Sequence, residues 1–328
     1  MDLAKKKILV TGAGGFIGSH LAEHLVEIGA EVVAFIRYNS RNYWGWLEES
    51  EYLKDIRVIT GDIRDYDSVK KAMKGVDIVF HLAALIGIPY SYESPLAYIK
   101  TNIEGTYNIL EASLELGIER IIHTSTSEIY GTAQYVPIDE SHPINPQSPY
   151  AASKASADLL ALSFNRSFNL PVSIVRPFNT YGPRQSARAV IPSIIIQILN
   201  GNRKIKLGSL YPTRDFTYVK DTVEGFIRIA DTEKTIGEIV NIGSNFEISI
   251  EKLVGLISSL MNKKVEIEVE KERLRPVKSE VERLWADTRK IKELTGWNPK
   301  YSLEEGLQET IKCIYDHFDL YKPEIYNV

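Results

Sequence analysis

The sequence predicts an α/β protein in which a doubly wound parallel sheet is joined to a smaller mixed α/β domain. Short runs rich in Ile and Val, such as "ILV" at 8–10, are typical of strands buried on both faces of a parallel sheet. Segments with apolar residues at helical spacing alternate with these runs, and a glycine-rich turn joins the first strand to the first helix. This alternation is typical of a doubly wound sheet.

The first strand–turn–helix unit lies in "KKILVTGAGGFIGSHLAEHLVEIG". Its turn carries three glycines in a G-x-x-G-x-x-G pattern, Gly12, Gly15 and Gly18. After it, Ile17, Leu21 and Leu25 recur at helical spacing, and Gly29 ends the predicted helix. Glycine lets the backbone turn tightly and approach a pyrophosphate, while the helix N-terminus offers free N–H groups to phosphates. The unit therefore predicts a Rossmann-like dinucleotide site.

The strand–helix rhythm continues to about residue 179. Further strands are predicted in "EVVAFIR", "IRVITGD", "VDIVFHLAA", "RIIHTSTS" and "VSIVRPFN", with helices in "SVKKAMKG", around "TNIEGTYNILEASLELG" and after Tyr150. Residues 1–178 are accordingly predicted to form the cofactor domain and 179–328 the substrate domain. "GEIVNIGSN" resembles a strand that returns to the first domain, so part of 214–246 is expected to be interleaved. A further helix is predicted at "SIIIQILNG", and the charged segment 264–283 is expected to be solvated except at Arg275.

Composition excludes several classes of protein. The 328 residues are 44% hydrophobic and 25% charged, with a net charge of −4, and they contain no concentrated basic face for nucleic acid or an anionic membrane. One cysteine, Cys313, excludes an internal disulfide and a Cys-based metal cage. The start of the chain lacks the pattern of a secretory signal, and no apolar run is long enough to cross a bilayer. We therefore expect a cytoplasmic protein. We expect no metal site, because His20 and His24 have no third ligand nearby in the sequence.

The end of the second strand bears on the choice of cofactor. NAD sites usually place Asp or Glu there for the ribose 2′-hydroxyl, but this strand ends in Ile36 and Arg37. A guanidinium suits a 2′-phosphate, so NADP is predicted, with NAD as the alternative. Arg37 could instead lie across the adenine face. Asp62, after the third strand, could accept a hydrogen bond from the adenine amino group or could serve only as a turn residue.

A second motif indicates redox chemistry. Tyr150 and Lys154 lie four residues apart on a predicted helix and so project from one face. A neighbouring ammonium lowers the pKa of a phenol, which makes the tyrosine a usable base for oxidising an alcohol. Upstream, "TSTSEIYG" adds Glu128, a carboxylate for which simple alcohol oxidation has no use. If residues 126–128 are extended, Thr126 and Glu128 point to the same side.

Several motifs in this order resemble the extended short-chain dehydrogenase/reductases that act on nucleotide sugars. They are the glycine turn, "HLAA" at 81–84, Tyr150 with Lys154, "RPFNTYGPR" at 176–184 and "RDFTYVKD" at 214–221. The triplet Thr126, Ser127 and Glu128 resembles that of 4,6-dehydratases, in the form of the GDP-mannose branch. Finer features, including "LIGIPYSY" and "RPVKSEVERL", are similar to the N-acetylglucosamine 4,6-dehydratases of legionaminic-acid-type pathways.

The resemblance implies a role for Glu128. Oxidation at C4 makes the C5 proton acidic, and Glu128 would remove it so that the C6 hydroxyl leaves as water and a 4-keto-6-deoxy sugar results. Thr126 would hold the 4-oxygen. Ser127 stands where some relatives carry a second acid, so the residue that donates a proton to the leaving C6 hydroxyl is left open. Because the cofactor is restored in each cycle, it is expected to stay bound. Glu128 could instead be a surface carboxylate.

The resemblance also implies the binding residues. The cofactor contacts are expected from Gly12, Gly15, Phe16, Ile17, Gly18, Arg37, Asp62, Ile63, Leu82, Ala83, Ala84, Thr124, Tyr150, Lys154 and Pro177. The substrate contacts are expected from Asn179, Arg188, Arg214 and Arg275, with Arg184 a weaker candidate. Arginine forks suit phosphate oxygens, although each arginine could equally form a surface ion pair.

The predicted activity is a 4,6-dehydratase for UDP-N-acetylglucosamine or its GDP form. The enzyme alternatives are a UDP-glucuronate decarboxylase and a UDP-sugar 4-epimerase. A non-enzyme alternative is an NADP-sensing regulator, which the retained Tyr150, Lys154, Thr126 and Glu128 argue against. By analogy with the superfamily, helices near 104–118 and 151–165 are expected to pair across a homodimer as a four-helix bundle.

Overall fold

The computed structural model describes residues 2–323, and its centre is a parallel sheet with helices on both faces. The strands are β1 Lys7–Thr11, β2 Glu31–Arg37, β3 Ile56–Gly61, β4 Ile78–His81, β5 Arg120–Thr124, β6 Val172–Pro177, β7 Asn179–Tyr181, β8 Lys204–Leu207, β9 Thr213–Tyr218, β10 Ile239–Ile242, β11 Glu247–Ser249, β12 Glu266–Val269 and β13 Arg283–Leu284. The α-helices are α1 Phe16–Glu27, α2 Tyr66–Met73, α3 Ile88–Glu93, α4 Pro95–Tyr98, α5 Gly105–Leu116, α6 Pro149–Phe168, α7 Val190–Leu199, α8 Val219–Asp231, α9 Ile250–Leu260, α10 Arg289–Thr295 and α11 Leu303–Asp316. The predicted α/β doubly wound fold is confirmed.

The seven-stranded sheet has the order β10-β6-β5-β4-β1-β2-β3, and all of its pairs are parallel. Helices α1 and α8 pack together on one face, and α2, α5 and α6 pack on the other. The central strands are buried except at Lys7 and Thr124, which are half-buried, as their continuous apolar runs predict. Because the strands are parallel, their carboxyl ends meet at one edge, where ligands bind in open α/β sheets.

The second half of the chain contributes to both parts of the molecule. Strand β10 pairs with β6, so "GEIVNIGSN" supplies the last strand of the main sheet. A separate small sheet forms around β9, which pairs with β7, β11 and β13. Beside it, β8 pairs with β12 while α7, α9 and α11 pack against one another. The division into cofactor and substrate domains at residue 178 stays a prediction.

One segment differs from expectation. Residues 264–283 do contain exposed positions, but Ser279 and Val281 are buried and Glu280 is largely buried. The reason is that this segment continues into β13 alongside β9 and so lies against the small sheet.

Within residues 2–323, no helix has the length and apolar character needed to span a membrane.

Candidate active site

The glycine turn between β1 and α1 forms a cradle that leaves no room for side chains. Gly12 has φ +72°, and a Cβ there would lie 3.0 Å from the backbone nitrogen of Ala83. A Cβ on Gly18 would lie 2.3 Å from the carbonyl oxygen of Gly12. Helix α1 follows N-cap Gly15, for which the described residues provide no side-chain cap, so the amides at Phe16 and Ile17 are available to phosphates. The cradle therefore fits a dinucleotide pyrophosphate.

The segment after β2 holds this turn in place. Trp46 donates its backbone N–H to the carbonyl oxygen of Gly14 at 3.1 Å. Gly45 has φ +67°, and a Cβ on Gly14 would lie 2.5 Å from the carbonyl oxygen of Trp44. The ring of Trp46 also contacts His317 and Tyr321 near the end of the described chain. The two tryptophans thus pack against the glycine turn.

The other predicted cofactor residues lie at the carboxyl ends of neighbouring strands. Arg37 is the exposed last residue of β2, and Asp62 directly follows β3. Asp62 accepts hydrogen bonds from the Arg64 side chain at 2.9 and 3.1 Å. These bonds, together with the charge of Arg37, lower the pKa of the Asp62 carboxyl. Asp62 is therefore already paired within the protein, although adenine was its expected partner.

The loop after β4 lines the cradle from the opposite side. The backbone N–H groups of Leu82 and Ala83 both donate to the Thr11 hydroxyl at 3.1 Å. Ala84 follows them, while Ile63, Thr124 and Pro177 lie at or just after the ends of β3, β5 and β6. The structure thus brings the predicted cofactor positions to one edge of the sheet.

Tyr150 and Lys154 are both buried on α6, with 8% and 4% of their surfaces exposed. Helix α6 starts at Pro149 because Ser148 caps it, accepting a hydrogen bond from the backbone N–H of Ala151. Lys154 Nζ donates to the carbonyl oxygen of Thr124 at 2.6 Å, which aims the ammonium at the end of β5. Burial lowers the pKa of Lys154 to about 8.

Burial raises the pKa of the Tyr150 phenol, its interaction with the Thr126 side chain opposes that rise, and the charge of Glu128 adds to it. The structure therefore brings together Thr126, Glu128, Tyr150 and Lys154, which the sequence places on two separate segments.

Residues 126–128 do not meet the condition that they are all extended. Only Thr126 is extended, and Ser127–Tyr130 form a 3-10 turn. The cause is local: the Thr126 hydroxyl caps the turn by accepting the backbone N–H of Glu128 at 3.2 Å. Ser127 and Glu128 are nevertheless buried, with 2% and 8% of their surfaces exposed. Glu128 is therefore not a surface carboxylate.

Two arginines and a second carboxylate surround Glu128. Arg275 Nη1 lies 3.7 Å from Glu128 Oε2 and 3.9 Å from Glu280 Oε1, and Arg214 Nη2 lies 3.7 Å from Glu280 Oε1. Burial lowers the pKa of Arg214, and the charge of Glu128 opposes that shift. Arg275 Nη1 is buried and has no hydrogen-bond partner among residues 2–323, and the same is true of Asn179 Oδ1. These atoms are suited to bind a polar ligand.

The remaining arginine candidates lie apart from this group. Arg184 forms two hydrogen bonds of 2.9 Å to Glu23 on α1, so its side chain is directed at that helix. Arg188 is exposed. Burial raises the pKa of Tyr98, the charge of Arg188 opposes that rise, and the Tyr98 ring contacts Tyr150. His20 is bonded to the Pro183 carbonyl, and within the described chain no cluster of residues could hold a metal ion.

Sequence reasoning missed a set of buried residues behind the site. Glu280 stood inside a segment expected to be solvated, and nothing local distinguished it from its charged neighbours. Asp158 and Arg176 form a fully buried ion pair with Nε and Oδ2 3.1 Å apart. Asp158 carried a signal, because it continues the i, i+4 spacing of Tyr150 and Lys154 along α6.

Comparisons with known proteins show the family of the chain. The model of the GDP-mannose 4,6 dehydratase family matches residues 9–310. The chain belongs to this family. A dTDP-D-glucose 4,6-dehydratase of Mus musculus is 35% identical over 335 residues, which cover 97% of this chain and 91% of that protein. A UDP-N-acetyl-alpha-D-glucosaminuronate decarboxylase of Bacillus cytotoxicus is 38% identical over 94% of this chain and 97% of its own length.

A solved structure extends the likeness to the whole fold. The dTDP-glucose 4,6-dehydratase of Streptomyces venezuelae, determined with NAD bound, superposes with a TM-score of 0.87 at 29% identity. The match covers 97% of this chain and 99% of that one. The predicted membership of the nucleotide-sugar 4,6-dehydratase group of the extended short-chain dehydrogenase/reductases is confirmed. This chain is therefore an enzyme that uses a nicotinamide cofactor.

Proposed function

We propose that this enzyme is a 4,6-dehydratase that converts UDP-N-acetylglucosamine, or its GDP form, into the 4-keto-6-deoxy sugar. The observation that carries the proposal is the position of Glu128. Its carboxylate is buried beside Tyr150 and Arg275, although oxidation of an alcohol requires no second base. A base at this position is what elimination of water adds to the reaction.

In the proposed mechanism, Tyr150 takes the proton of the C4 hydroxyl while Thr126 holds the oxygen and Lys154 supplies positive charge nearby. A nicotinamide cofactor held at the turn of Gly12, Gly15 and Gly18 would supply the hydride acceptor for C4 and the hydride donor for C6. Glu128 then removes the C5 proton, which is acidic because the neighbouring ketone stabilises the carbanion as an enolate. The C5–C6 double bond forms as the C6 hydroxyl leaves with a proton as water, and after hydride has been added at C6 the protonated Glu128 returns a proton to C5. Buried Ser127 is proposed to contact this leaving group.

The diphosphate of the substrate is proposed to bind between Arg214 and Arg275, with Asn179 and Arg188 as further contacts. The guanidinium groups of Arg214 and Arg275 lie 3.7 and 3.9 Å from Glu280, which is too far for a hydrogen bond. Each guanidinium therefore has N–H groups that Glu280 does not use. Phosphate oxygens can replace these contacts with bidentate hydrogen bonds. Asn179 starts β7, immediately beyond the carboxyl end of β6.

We propose NADP as the preferred cofactor. Arg37 ends β2, and no carboxylate occupies that position to repel a 2′-phosphate. The Asp62 carboxylate nearby is paired with Arg64, which leaves the guanidinium of Arg37 exposed. Because the proposed reaction restores the cofactor in each cycle, NADP is expected to copurify with the protein.

Replacing Glu128 tests the proposed function. Glu128→Gln keeps the shape of the side chain but removes the base, so we expect NADP binding and C4 oxidation to persist while water loss falls by about 100-fold or more. Rapid mixing followed by mass spectrometry measures the dehydrated sugar. The matched control is Glu247→Gln, because Glu247 also pairs with an arginine, Arg283, and should leave turnover unchanged. Full dehydration by Glu128→Gln would refute the assigned base.

A panel of UDP- and GDP-sugars separates the alternatives. The dehydratase predicts a product lighter by one water, with no net change in the absorbance of the reduced cofactor. The UDP-glucuronate decarboxylase alternative predicts loss of CO₂ from UDP-glucuronate, and a relative named as a decarboxylase of another UDP-uronate is 38% identical to this chain. An epimerase gives a product of unchanged mass. A regulator binds NADP without turning over any of these sugars.

We also propose a homodimer formed through α5 and α6. These two helices pack side by side and expose apolar groups on their outer face, including Tyr107, Leu114 and Leu159. On α6 the outward positions are Ala152, Ser156 and Leu159, which repeat at helical spacing. Two such pairs would form a four-helix bundle.

A further inference from the structure

The segment Ser125–Tyr130, here called the catalytic turn, is tied at both ends to buried residues. At its start, the Ser125 hydroxyl donates to Asp158 Oδ2 at 2.8 Å. At its end, the Tyr130 hydroxyl accepts from Arg176 Nη1 at 2.9 Å and donates to Asn241 Oδ1 at 2.8 Å. Thr126, Ser127 and Glu128 lie between these two attachments.

One guanidinium joins the two ends. Arg176 Nε donates to Asp158 Oδ2 at 3.1 Å, while its Nη1 contacts Tyr130 and its plane lies over the Tyr130 ring, with Cζ 5.0 Å from the ring centroid. Asp158 lies one helical turn beyond Lys154 on α6, and Arg176 lies on β6. The network therefore spans the catalytic turn, the helix that carries Tyr150 and the central sheet.

The network contributes more to geometry than to stability. Asp158, Tyr130 and Asn241 are 0% exposed and Arg176 is 1% exposed. Removing a charged pair from water costs about as much free energy as the pair gains by attraction. Apolar residues of the same shape would therefore stabilise the fold equally well. What apolar residues cannot supply is a fixed distance between the turn and the helix, because dispersion contacts are not directional.

We infer that Arg176, through Asp158 and Tyr130, positions Glu128 relative to Tyr150, and that this positioning serves the elimination step rather than the oxidation step. Tyr150 and Lys154 are oriented by α6, and Lys154 is also bonded to the Thr124 carbonyl. Thr126 adjoins Ser125, whose bond to Asp158 does not involve Tyr130. Glu128 lies two residues before Tyr130, so loss of the Tyr130 contacts loosens the base and leaves the redox pair in place. The inference rests on the proposed dehydratase reaction.

The test compares Tyr130→Phe with Tyr181→Phe. Each substitution removes one buried hydroxyl: that of Tyr130 bonds within the network, whereas that of Tyr181 donates to the Leu303 carbonyl at 3.1 Å, at the start of α11. Single-turnover experiments on the cofactor-loaded protein measure C4 oxidation by absorbance of the reduced nicotinamide and water loss by mass spectrometry. A titration with NADP checks that both variants are folded.

Tyr130→Phe should slow water loss by about 10-fold to 100-fold and leave C4 oxidation within about twofold of wild type, because small displacements of a base cost that much in rate. The 4-keto sugar that still carries its C6 hydroxyl should then accumulate. Tyr181→Phe should leave the ratio of the two rates unchanged. Equal slowing of both steps, or no slowing of either, overturns the inference. A wild-type protein that releases no water from any sugar overturns the proposed function instead, and this inference with it.

Discussion

Tyr150 and Lys154 are two ionisable residues buried side by side at the end of the sheet. Burial raises the pKa of Tyr150 and lowers that of Lys154 to about 8, so burial favours the neutral form of each group. Proton loss from such a pair belongs to both groups, and one of the two resulting forms is phenolate with ammonium. That form is the base that oxidation requires.

This electrostatic arrangement predicts a pH dependence for C4 oxidation. Below about pH 8 the pair keeps both protons and Tyr150 cannot act as a base, so the single-turnover rate should rise with pH and level off near the pKa of the pair. Lys154→Met should move the midpoint upward, because the phenol then titrates without a neighbouring cation. Lys220→Met, an exposed lysine on α8, is the control and should leave the profile unchanged. A rate that is flat or falls as pH rises toward 8 would contradict the assignment.

At the scale of single residues, the sequence identified groups whose chemistry is carried by a local motif. Tyr150 and Lys154 are recognisable because their spacing fixes a shared helix face. Glu280 was not recognisable from the sequence, because its burial depends on Arg214 and Arg275. These arginines approach Glu280 only after the small sheet has formed. Asp158 and Arg176 likewise meet only when α6 packs on β6. Asp158 does continue the helical spacing of Tyr150 and Lys154, but its pairing with Arg176 joins two distant segments and leaves no signal in one sequence.

At the scale of elements, the strands of the main sheet were predictable because apolar β-branched runs have few other stable arrangements. The return of β10 to β6 followed from the same kind of run in "GEIVNIGSN". The extended backbone ends within 126–128, where a side-chain cap outweighed the tendency of a strand to continue. Active-site turns are prone to such departures, because a single hydroxyl decides their conformation.

The end of β2 carries the prediction on cofactor choice. A guanidinium bonded to a 2′-phosphate contributes roughly 1.5–3 kcal/mol, so Arg37→Ala should weaken NADP binding by about 10-fold to 100-fold and change NAD binding by less than about twofold. Fluorescence titration of the cofactor-free protein measures both constants. Arg57→Ala removes the same charge from the opposite end of neighbouring β3 and should alter neither constant. Equal losses for the two cofactors would show that Arg37 contacts the adenine rather than the phosphate.

At the scale of the whole molecule, the two outer helices beside the active site are central to the proposed assembly. Helix α6 carries Tyr150 and Lys154 on its inner face, while Leu159 on the outer face is 59% exposed. A dimer formed there would brace the helix that holds the redox pair. The expected cytoplasmic location stays a prediction.

Charge placed on that outer face should separate the proposed dimer. Leu159→Lys would bring two ammonium groups into an apolar bundle, and burying an unpaired charge costs several kcal/mol, so we expect a monomer. Sedimentation velocity measures the mass across a range of concentrations. Val269→Lys is the matched control: Val269 is 51% exposed on β12, away from α5 and α6, and the variant should remain dimeric. If Leu159→Lys stays dimeric, the subunits meet through another surface, and a wild-type monomer would rule out this arrangement altogether.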